Sequence, residues 1–178
     1  MILKIFTLVH VLISLGGIVS GLVVLFGLLA GKRLDGWTAF FLATTVATSV
    51  TGFFFPAHHF MPSHAVGTLS LIVLAIAIYA RYARHLGRAW RKTYVAGAVM
   101  ALYLNVFVGI VQAFQKIPAL KAAAPKQNEP PFLITQLLFL FLFVVVGILA
   151  AVKFRDGPMR SEQSGQLRAS SSSLAAQD

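Results

Sequence analysis

The chain contains five long apolar stretches, and these constrain its fold more than any other feature. Each holds about 20 residues, the length that an α-helix needs to cross a bilayer core about 30 Å thick. Only 11% of the residues are charged, against about 25% in a typical soluble domain. The sequence therefore predicts an all-α fold, a polytopic membrane helical bundle. The predicted spans are Ile5–Ala30, Trp37–Phe55, His64–Ala83, Thr93–Gln115 and Phe132–Lys153.

The lysines and arginines are distributed unevenly between the two ends of these spans. Basic residues are enriched in the cytoplasmic connections of membrane proteins, so the side with more of them is expected to be cytoplasmic. Eleven lie on one side: Lys32, Arg33, Arg81, Arg84, Arg88, Arg91, Lys92, Lys153, Arg155, Arg160 and Arg168. The other side has only Lys4, Lys116, Lys121 and Lys126. This split places the N-terminus outside and the C-terminus in the cytoplasm. No nucleic-acid-binding motif accompanies the net charge of +10, and no nucleic acid is expected as a partner.

The two ends of the chain differ in character. The first apolar run is far longer than the roughly 7–15 residues of a signal-peptide core, so we expect it to be retained as a transmembrane helix. The C-terminal segment "SEQSGQLRASSSSLAAQD" is polar and rich in serine, a composition typical of disorder. We therefore expect a transmembrane helical domain over residues 1–155 and a disordered cytoplasmic tail over residues 156–178.

Polar and small residues share one face in at least two of the predicted spans. In the first span, His10, Gly17 and Gly21 follow helical spacing. Gly17 and Gly21 also form a pair of small residues four apart, which allows another helix to approach closely. In the fourth span, Asn105 and Gln112 share a face, and amides are costly in lipid unless they are hydrogen-bonded. These faces are expected to point into the bundle.

The fifth span differs from the others because its run of leucine, phenylalanine and valine is interrupted by few polar residues. We therefore predict a four-helix core built from the first four spans plus a fifth transmembrane helix outside it. Lipid, a second copy of the chain or a partner membrane subunit would cover the outer face of this fifth helix.

The connection "FFFPAHHFMPSHAVG" concentrates His58, His59 and His64 between two apolar spans. A rise of about 1.5 Å per residue places His10 and Gln112 roughly 5–8 Å from the same outer end of the bundle, with Asn105 deeper. The sequence thus predicts a pocket at the outer side bordered by His10, His64, Asn105 and Gln112, with His58 and His59 at its mouth. These four residues are the predicted cofactor-binding or ligand-binding set.

Several chemistries fit this pocket, and the sequence leaves them open. Two histidines can bind a haem b iron axially, here His10 with His64, His58 or His59. Imidazoles beside the thioether of Met61 suit copper, and His58, His59 and His64 could equally hold zinc. A quinone, a lipid or a small solute needs no metal ligand, and a purely structural or accessory subunit needs no occupant.

Other chemistries have little support in the sequence. The chain has no cysteine, which excludes disulfides, thiolate ligands and c-type haem attachment. No serine lies in a G-x-S-x-G context, and every Asp and Glu lies outside the predicted spans. No residue pattern nominates an enzyme, and the missing carboxylates weaken the case for a carboxylate-driven transporter.

The stretches "GWTAFFLATTVATSVTGFFFP" and "LYLNVFVGIVQAFQKIPAL", with "APKQNEPPFLITQ" after the latter, resemble a group of small bacterial integral membrane proteins that has no assigned activity. The resemblance covers most of the chain from Val9 to Val152 and implies a location in the bacterial inner membrane, with the N-terminus in the periplasm. The most distinctive stretches contain His10, His64, Asn105, Gln112, Glu129 and Gln136.

The predicted topology can be tested with reporter fusions. Fusions at Gly87 and after Arg160 are expected to report a cytoplasmic location, and a fusion after Lys121 a periplasmic one, because of the split of basic residues. A periplasmic signal at Gly87 would reverse the orientation and move the histidine-rich connection to the cytoplasmic side.

Overall fold

The structure is a computed structural model that describes residues 2–55 and 62–154. Within these ranges the chain forms helices and no strands. The helices are α1 (Ile2–Leu29), α2 (Asp35–Gly52), α3 (Pro62–Ile78), α4 (Arg88–Lys116), α5 (Pro118–Ala123) and α6 (Pro130–Lys153). The last turn of α3 continues as a π-helical turn over Tyr79–Ala83. The all-α prediction is confirmed.

The first four helices form the core of the bundle. Helix α1 packs on α2 and α4, and α3 packs on the other sides of the same two helices. Helix α6 lies outside this group of four, against α4 and α1. This is the predicted four-helix core plus a fifth long helix. The bundle has an outer end, where α1 and α3 begin and α2 and α4 end, and a basic end, where α1 ends and α4 begins.

Four helices in the described part of the chain are long and apolar enough to cross a membrane: α1, α3 with its π turn, α4 and α6. Helix α2, predicted as the span Trp37–Phe55, is not among them. It has 18 residues, and its threonines, Ser49 and Asp35 reduce its apolar character. Its length of about 27 Å nevertheless carries the chain from the basic end back to the outer end. Four of the five predicted spans are therefore apolar enough to cross a membrane. The fifth, α2, is more polar, and its burial depends on the neighbouring helices.

Helix α6 is the least buried of the four helices that are long and apolar enough to cross a membrane. In its most apolar stretch 17% is buried, against 50% in that of α4. Large side chains such as Ile134, Leu138 and Phe141 are more than 60% exposed. A continuous exposed apolar face of this kind is typical of contact with lipid or another subunit.

Two glycines of α1 allow the helices to meet closely in the middle of the bundle. A Cβ atom on Gly21 would lie 2.5 Å from Leu102 Cδ1 and 2.8 Å from Phe41 Cε2, and one on Gly17 would lie 3.0 Å from Asn105 Nδ2. Phe41 and Leu102 are each 1% exposed, so neither has space to move aside. The small-residue face predicted for α1 is therefore its contact with α2 and α4.

The basic end is closed by a buried arginine. The π turn directs Arg81 into the bundle, where it is 5% exposed and forms an ion pair with Asp35 at the start of α2. Its guanidinium carbon lies 5.2 Å from the ring centre of Tyr94 and 5.6 Å from that of Tyr82. The ion pair and the two aromatic rings compensate for the burial of the Arg81 charge.

The connection between α4 and α6 folds back on α4. Pro118 ends the long helix and begins the short α5, since proline cannot continue a helix but fits its first turn. Phe114, Ala124 and Phe132 form a small apolar cluster there. The Gln127 amide donates to the Val111 carbonyl at 2.9 Å. Pro118 thus interrupts the helix, and the side chains anchor the connection at the outer end.

The close contact at Gly21 predicts a large effect from one methyl group. Gly21→Ala is expected to lower the free energy of unfolding by about 1–3 kcal/mol, because the added carbon overpacks the contact with Leu102 and Phe41. Gly16→Ala is the matched control on the same helix, since its Cβ would lie 3.9 Å from the Phe40 ring. Thermal unfolding in detergent would measure both. Equal stability of the two variants would contradict the packing.

Candidate functional site

A cavity of about 560 Å³ lies between the four core helices at the outer end of the bundle. It follows α1 from Thr7 to Ile18, a distance of about 16 Å, and reaches the surface beside the exposed side chain of Lys116. Ten of its lining residues are polar: Thr7, His10, Ser14, Thr48, Ser49, His64, Ser70, Asn105, Gln112 and Lys116. The remaining walls are apolar or glycine. The cavity is therefore amphipathic, with polar groups supplied by all four core helices.

The four residues predicted to border a pocket, His10, His64, Asn105 and Gln112, all line this one cavity. They come from α1, α3 and α4. His58 and His59, predicted at the mouth, lie outside the described residues. The structure thus brings the four side chains together, and their role in binding a cofactor stays a prediction.

His10 is held by a hydrogen bond across the α1–α2 contact. Its Nδ1 lies 2.7 Å from Thr51 Oγ1, and Thr51 Oγ1 lies 2.7 Å from the Ala47 carbonyl oxygen. The imidazole also packs edge-on against Phe55, with 5.0 Å between ring centres. These contacts fix the orientation of the ring in the wall of the cavity.

Two further polar contacts join the helices around the cavity. Ser49 donates to the Ser70 hydroxyl at 3.0 Å, which links α2 to α3. The Asn105 amide donates to Thr45 Oγ1 at 3.3 Å. This bond links α4 to α2 next to Gly17. Satisfied pairs of this kind are required of buried polar groups in apolar surroundings, and here they form the inner part of the cavity.

Thr48 is an exception among the threonines of the bundle. The hydroxyls of Thr7, Thr44, Thr51, Thr68, Thr93 and Thr135 each donate to the carbonyl four residues earlier. Thr48 Oγ1 is buried and has no hydrogen-bond partner among the described residues. Thr48 belongs to the cavity wall one turn before Thr51, and a buried hydroxyl without a partner is a rare and unfavourable state.

The electrostatic character of the cavity is set by a single cation. Lys116 carries the one formal charge among the described lining residues, and none of them is Asp or Glu. A bound cation would therefore meet repulsion with no compensating carboxylate, whereas neutral or anionic polar groups would not. This charge distribution disfavours amines as occupants.

The metal-binding prediction finds no further support among the described residues. Residues 2–55 and 62–154 contain no group of three His, Asp or Glu side chains placed to hold an ion. His64 is in place on the cavity wall, with its ring centre 5.5 Å from that of Phe53. The set of His58, His59 and His64 stays a prediction, because its first two members lie outside the described ranges.

Sequence reasoning missed two features of the molecule. The hydrogen bond between His10 and Thr51 was not predicted, although helical rise places the two residues at similar depth. Arg81 was expected among the cytoplasmic basic residues, although it is buried. Its signal was Asp35, which is the only acidic residue before Glu129 and therefore its natural partner.

Two residues singled out by the resemblance lie away from the cavity. Gln136 is buried between α6 and α4, where its amide donates to the Phe107 carbonyl at 3.4 Å. The Glu129 carboxylate accepts from the backbone N–H groups of Lys126 and Asn128 at 3.1 Å each, just before α6. Both contacts support the packing of α6 and its connection.

No protein-family model, curated protein or solved structure matches this chain. The bacterial resemblance therefore stays a prediction.

Truncation of two of the lining amides is expected to have different effects on the free energy of unfolding. Asn105→Ala should lower the free energy of unfolding by about 1–2 kcal/mol, because it leaves the 1%-exposed Thr45 without its donor. Gln112→Ala should leave stability nearly unchanged, since Gln112 is exposed at the cavity entrance. Thermal unfolding of the two variants in detergent compares them. An equal loss in both would mean that Asn105 has no special structural role.

Proposed function

We propose that this chain is a multi-pass membrane protein that binds a small amphipathic molecule in the cavity at the outer end of its bundle. The observation that carries the proposal is the lining itself: polar side chains from four helices surround a volume of about 560 Å³ that also has apolar walls. Cavities of about 300–1,000 Å³ with a few convergent polar groups are typical of small-molecule sites.

The tightly packed middle of the bundle supports binding of a molecule in the cavity and not its passage through the bundle. Below the cavity, the Gly21 contact with Phe41 and Leu102 leaves no space between α1, α2 and α4. At the basic end, the buried Arg81 is paired with Asp35. A molecule that enters from the outer end would therefore stop at the level of Asn105.

The location of the site follows from the charge split in the sequence. Eleven basic residues at the basic end favour that end for the cytoplasm, so the cavity would open toward the periplasmic side of a bacterial inner membrane. The exposed face of α6 would contact lipid, a second copy or a partner subunit.

Haem b is a second candidate occupant, and one observation favours it. His10 and His64 come from different helices and line the same cavity. The His10 ring is held through Nδ1 by Thr51, in the way that a second contact usually orients a metal-binding histidine. His10 and His64 would hold the haem iron, which would supply electron-transfer chemistry.

The proposed function can be tested by filling the cavity. Gly109→Leu is expected to fold, because a Cβ at this position makes only an ordinary contact with Ile18 Cδ1 at 3.6 Å, and to reduce the space that is left. Gly16→Leu is the control, since Gly16 faces Phe40 outside the cavity. Organic extraction and mass spectrometry of purified protein should find a bound molecule in the wild type and in Gly16→Leu, and much less in Gly109→Leu.

The same preparations distinguish the occupants. A Soret band that His10→Ala abolishes would identify haem, and stoichiometric copper or zinc would support the predicted site at His58, His59 and His64. An extractable organic molecule without colour or metal is the result expected from the favoured proposal. If no preparation contains an occupant and Gly109→Leu behaves as the wild type, an accessory role without a cofactor would replace it.

A further inference from the structure

The protonation of His10 can be worked out from two short contacts of Thr51. Thr51 Oγ1 lies 2.7 Å from the Ala47 carbonyl oxygen and 2.7 Å from His10 Nδ1, but a hydroxyl has only one proton to donate. If that proton pointed to His10, two oxygens would face each other at 2.7 Å with no proton between them. Both contacts are hydrogen bonds only when Thr51 donates to Ala47 and His10 Nδ1–H donates to Thr51.

The other ring nitrogen is therefore a hydrogen-bond acceptor. In a neutral imidazole with its proton on Nδ1, Nε2 carries a lone pair. The bond to Thr51 is the only hydrogen bond that His10 makes within residues 2–55 and 62–154. Nε2 is not among the buried unsatisfied atoms, so it is accessible, and His10 lines the cavity. An occupant can satisfy this nitrogen only by donating a hydrogen bond to it.

The acceptor Nε2 distinguishes between three kinds of polar group that an occupant could offer. A carbonyl or ether oxygen has no proton to donate, and would leave Nε2 unmatched. An ammonium group donates, but it would enter a cavity whose one formal charge is Lys116 and which has no carboxylate among its described lining residues. A neutral hydroxyl donates without carrying a charge, and it is the group that fits.

Thr48 gives the hydroxyl a second contact. Its own hydroxyl is buried without a partner, one turn before Thr51, and threonine in a helix has two accessible χ1 rotamers. Rotation about χ1 would turn Oγ1 toward the cavity, where it could donate to the oxygen of a bound hydroxyl. That oxygen would then donate to His10 and accept from Thr48, which satisfies both groups.

Resting on the proposed function, we infer that the cavity selects an amphipathic molecule with a free hydroxyl group, an alcohol or a phenol, which donates to His10 Nε2. The Thr51 hydroxyl is the positioning group, because it holds the proton of the imidazole on Nδ1. The apolar walls, among them Val11, Leu15 and Val108, would contact the hydrocarbon part of the same molecule.

A matched pair of probes tests the inference. Para-heptylphenol has the hydroxyl hydrogen that would form the hydrogen bond to His10 Nε2, and its O-methyl ether lacks that hydrogen. Equilibrium binding to the purified full chain in detergent, corrected with empty micelles, is expected to favour the phenol by about tenfold, the size of one buried hydrogen bond. His10→Phe keeps a ring against Phe55 but removes the acceptor, so it should bind the two probes equally.

Two threonine variants keep the test independent of the His10 substitution. Thr51→Val removes the acceptor that holds the Nδ1 proton, and should reduce the preference for the phenol severalfold. Thr135→Val is the control, since Thr135 donates to the Pro131 carbonyl at the same 2.7 Å on α6, away from the cavity. It should retain the full preference, as should Thr48→Ser, whereas Thr48→Val should weaken binding of the phenol.

The outcomes separate the two proposals. Equal binding of phenol and ether by the wild type, or a preference that survives both His10→Phe and Thr51→Val, would overturn the hydroxyl inference and leave the binding site intact. Binding of neither probe to the wild type would contradict the proposed function, and the inference with it.

Discussion

The close approach of α1 to α2 and α4 at Gly17 and Gly21 is the contact on which the rest of the bundle depends. It is possible only because neither position has a Cβ atom, and it brings α1 against Phe41, Leu102 and Asn105 without a gap. The contact closes the middle of the bundle. On the outer side of it, the side chains of the four core helices do not fill the space between them, and the cavity lies there.

The cavity shows how a membrane bundle handles polar groups. Several of its polar side chains are hydrogen-bonded between helices: Ser49 with Ser70, Asn105 with Thr45, His10 with Thr51. These pairs stabilise helix contacts, because an unpaired polar group in apolar surroundings is costly. One imidazole nitrogen and the Thr48 hydroxyl are part of the remainder. The proposed selectivity rests on this remainder, and its donor and acceptor pattern is a consequence of how the other bonds are satisfied.

The two ends of the bundle use charge differently. At the basic end, Arg81 is buried against Tyr94 and paired with Asp35, which itself is also 3.9 Å from the exposed Arg33. At the outer end the cavity has a single cation at its entrance and no acidic residue in its described lining. The basic end therefore holds a buried cation with a carboxylate partner, whereas the charge at the outer end would not repel a neutral or anionic guest. Binding at the outer end need not disturb the ion pair, since the tightly packed layer at Gly21 lies between them.

The sequence by itself determined the helical membrane class and the faces that turn inward. Apolar runs of membrane-spanning length and the spacing of His10, Gly17 and Gly21 are local properties, and helical periodicity alone places such residues on one side. The short, threonine-rich α2 was the weak point, because its burial depends on neighbours and not on its own composition. Only the tertiary structure decided which partner each polar group takes. His10 pairs with Thr51, 41 residues away, and Arg81 with Asp35, 46 residues away. Those pairings depend on the rotation and separation of packed helices, which arise from long-range contacts such as the one at Gly21.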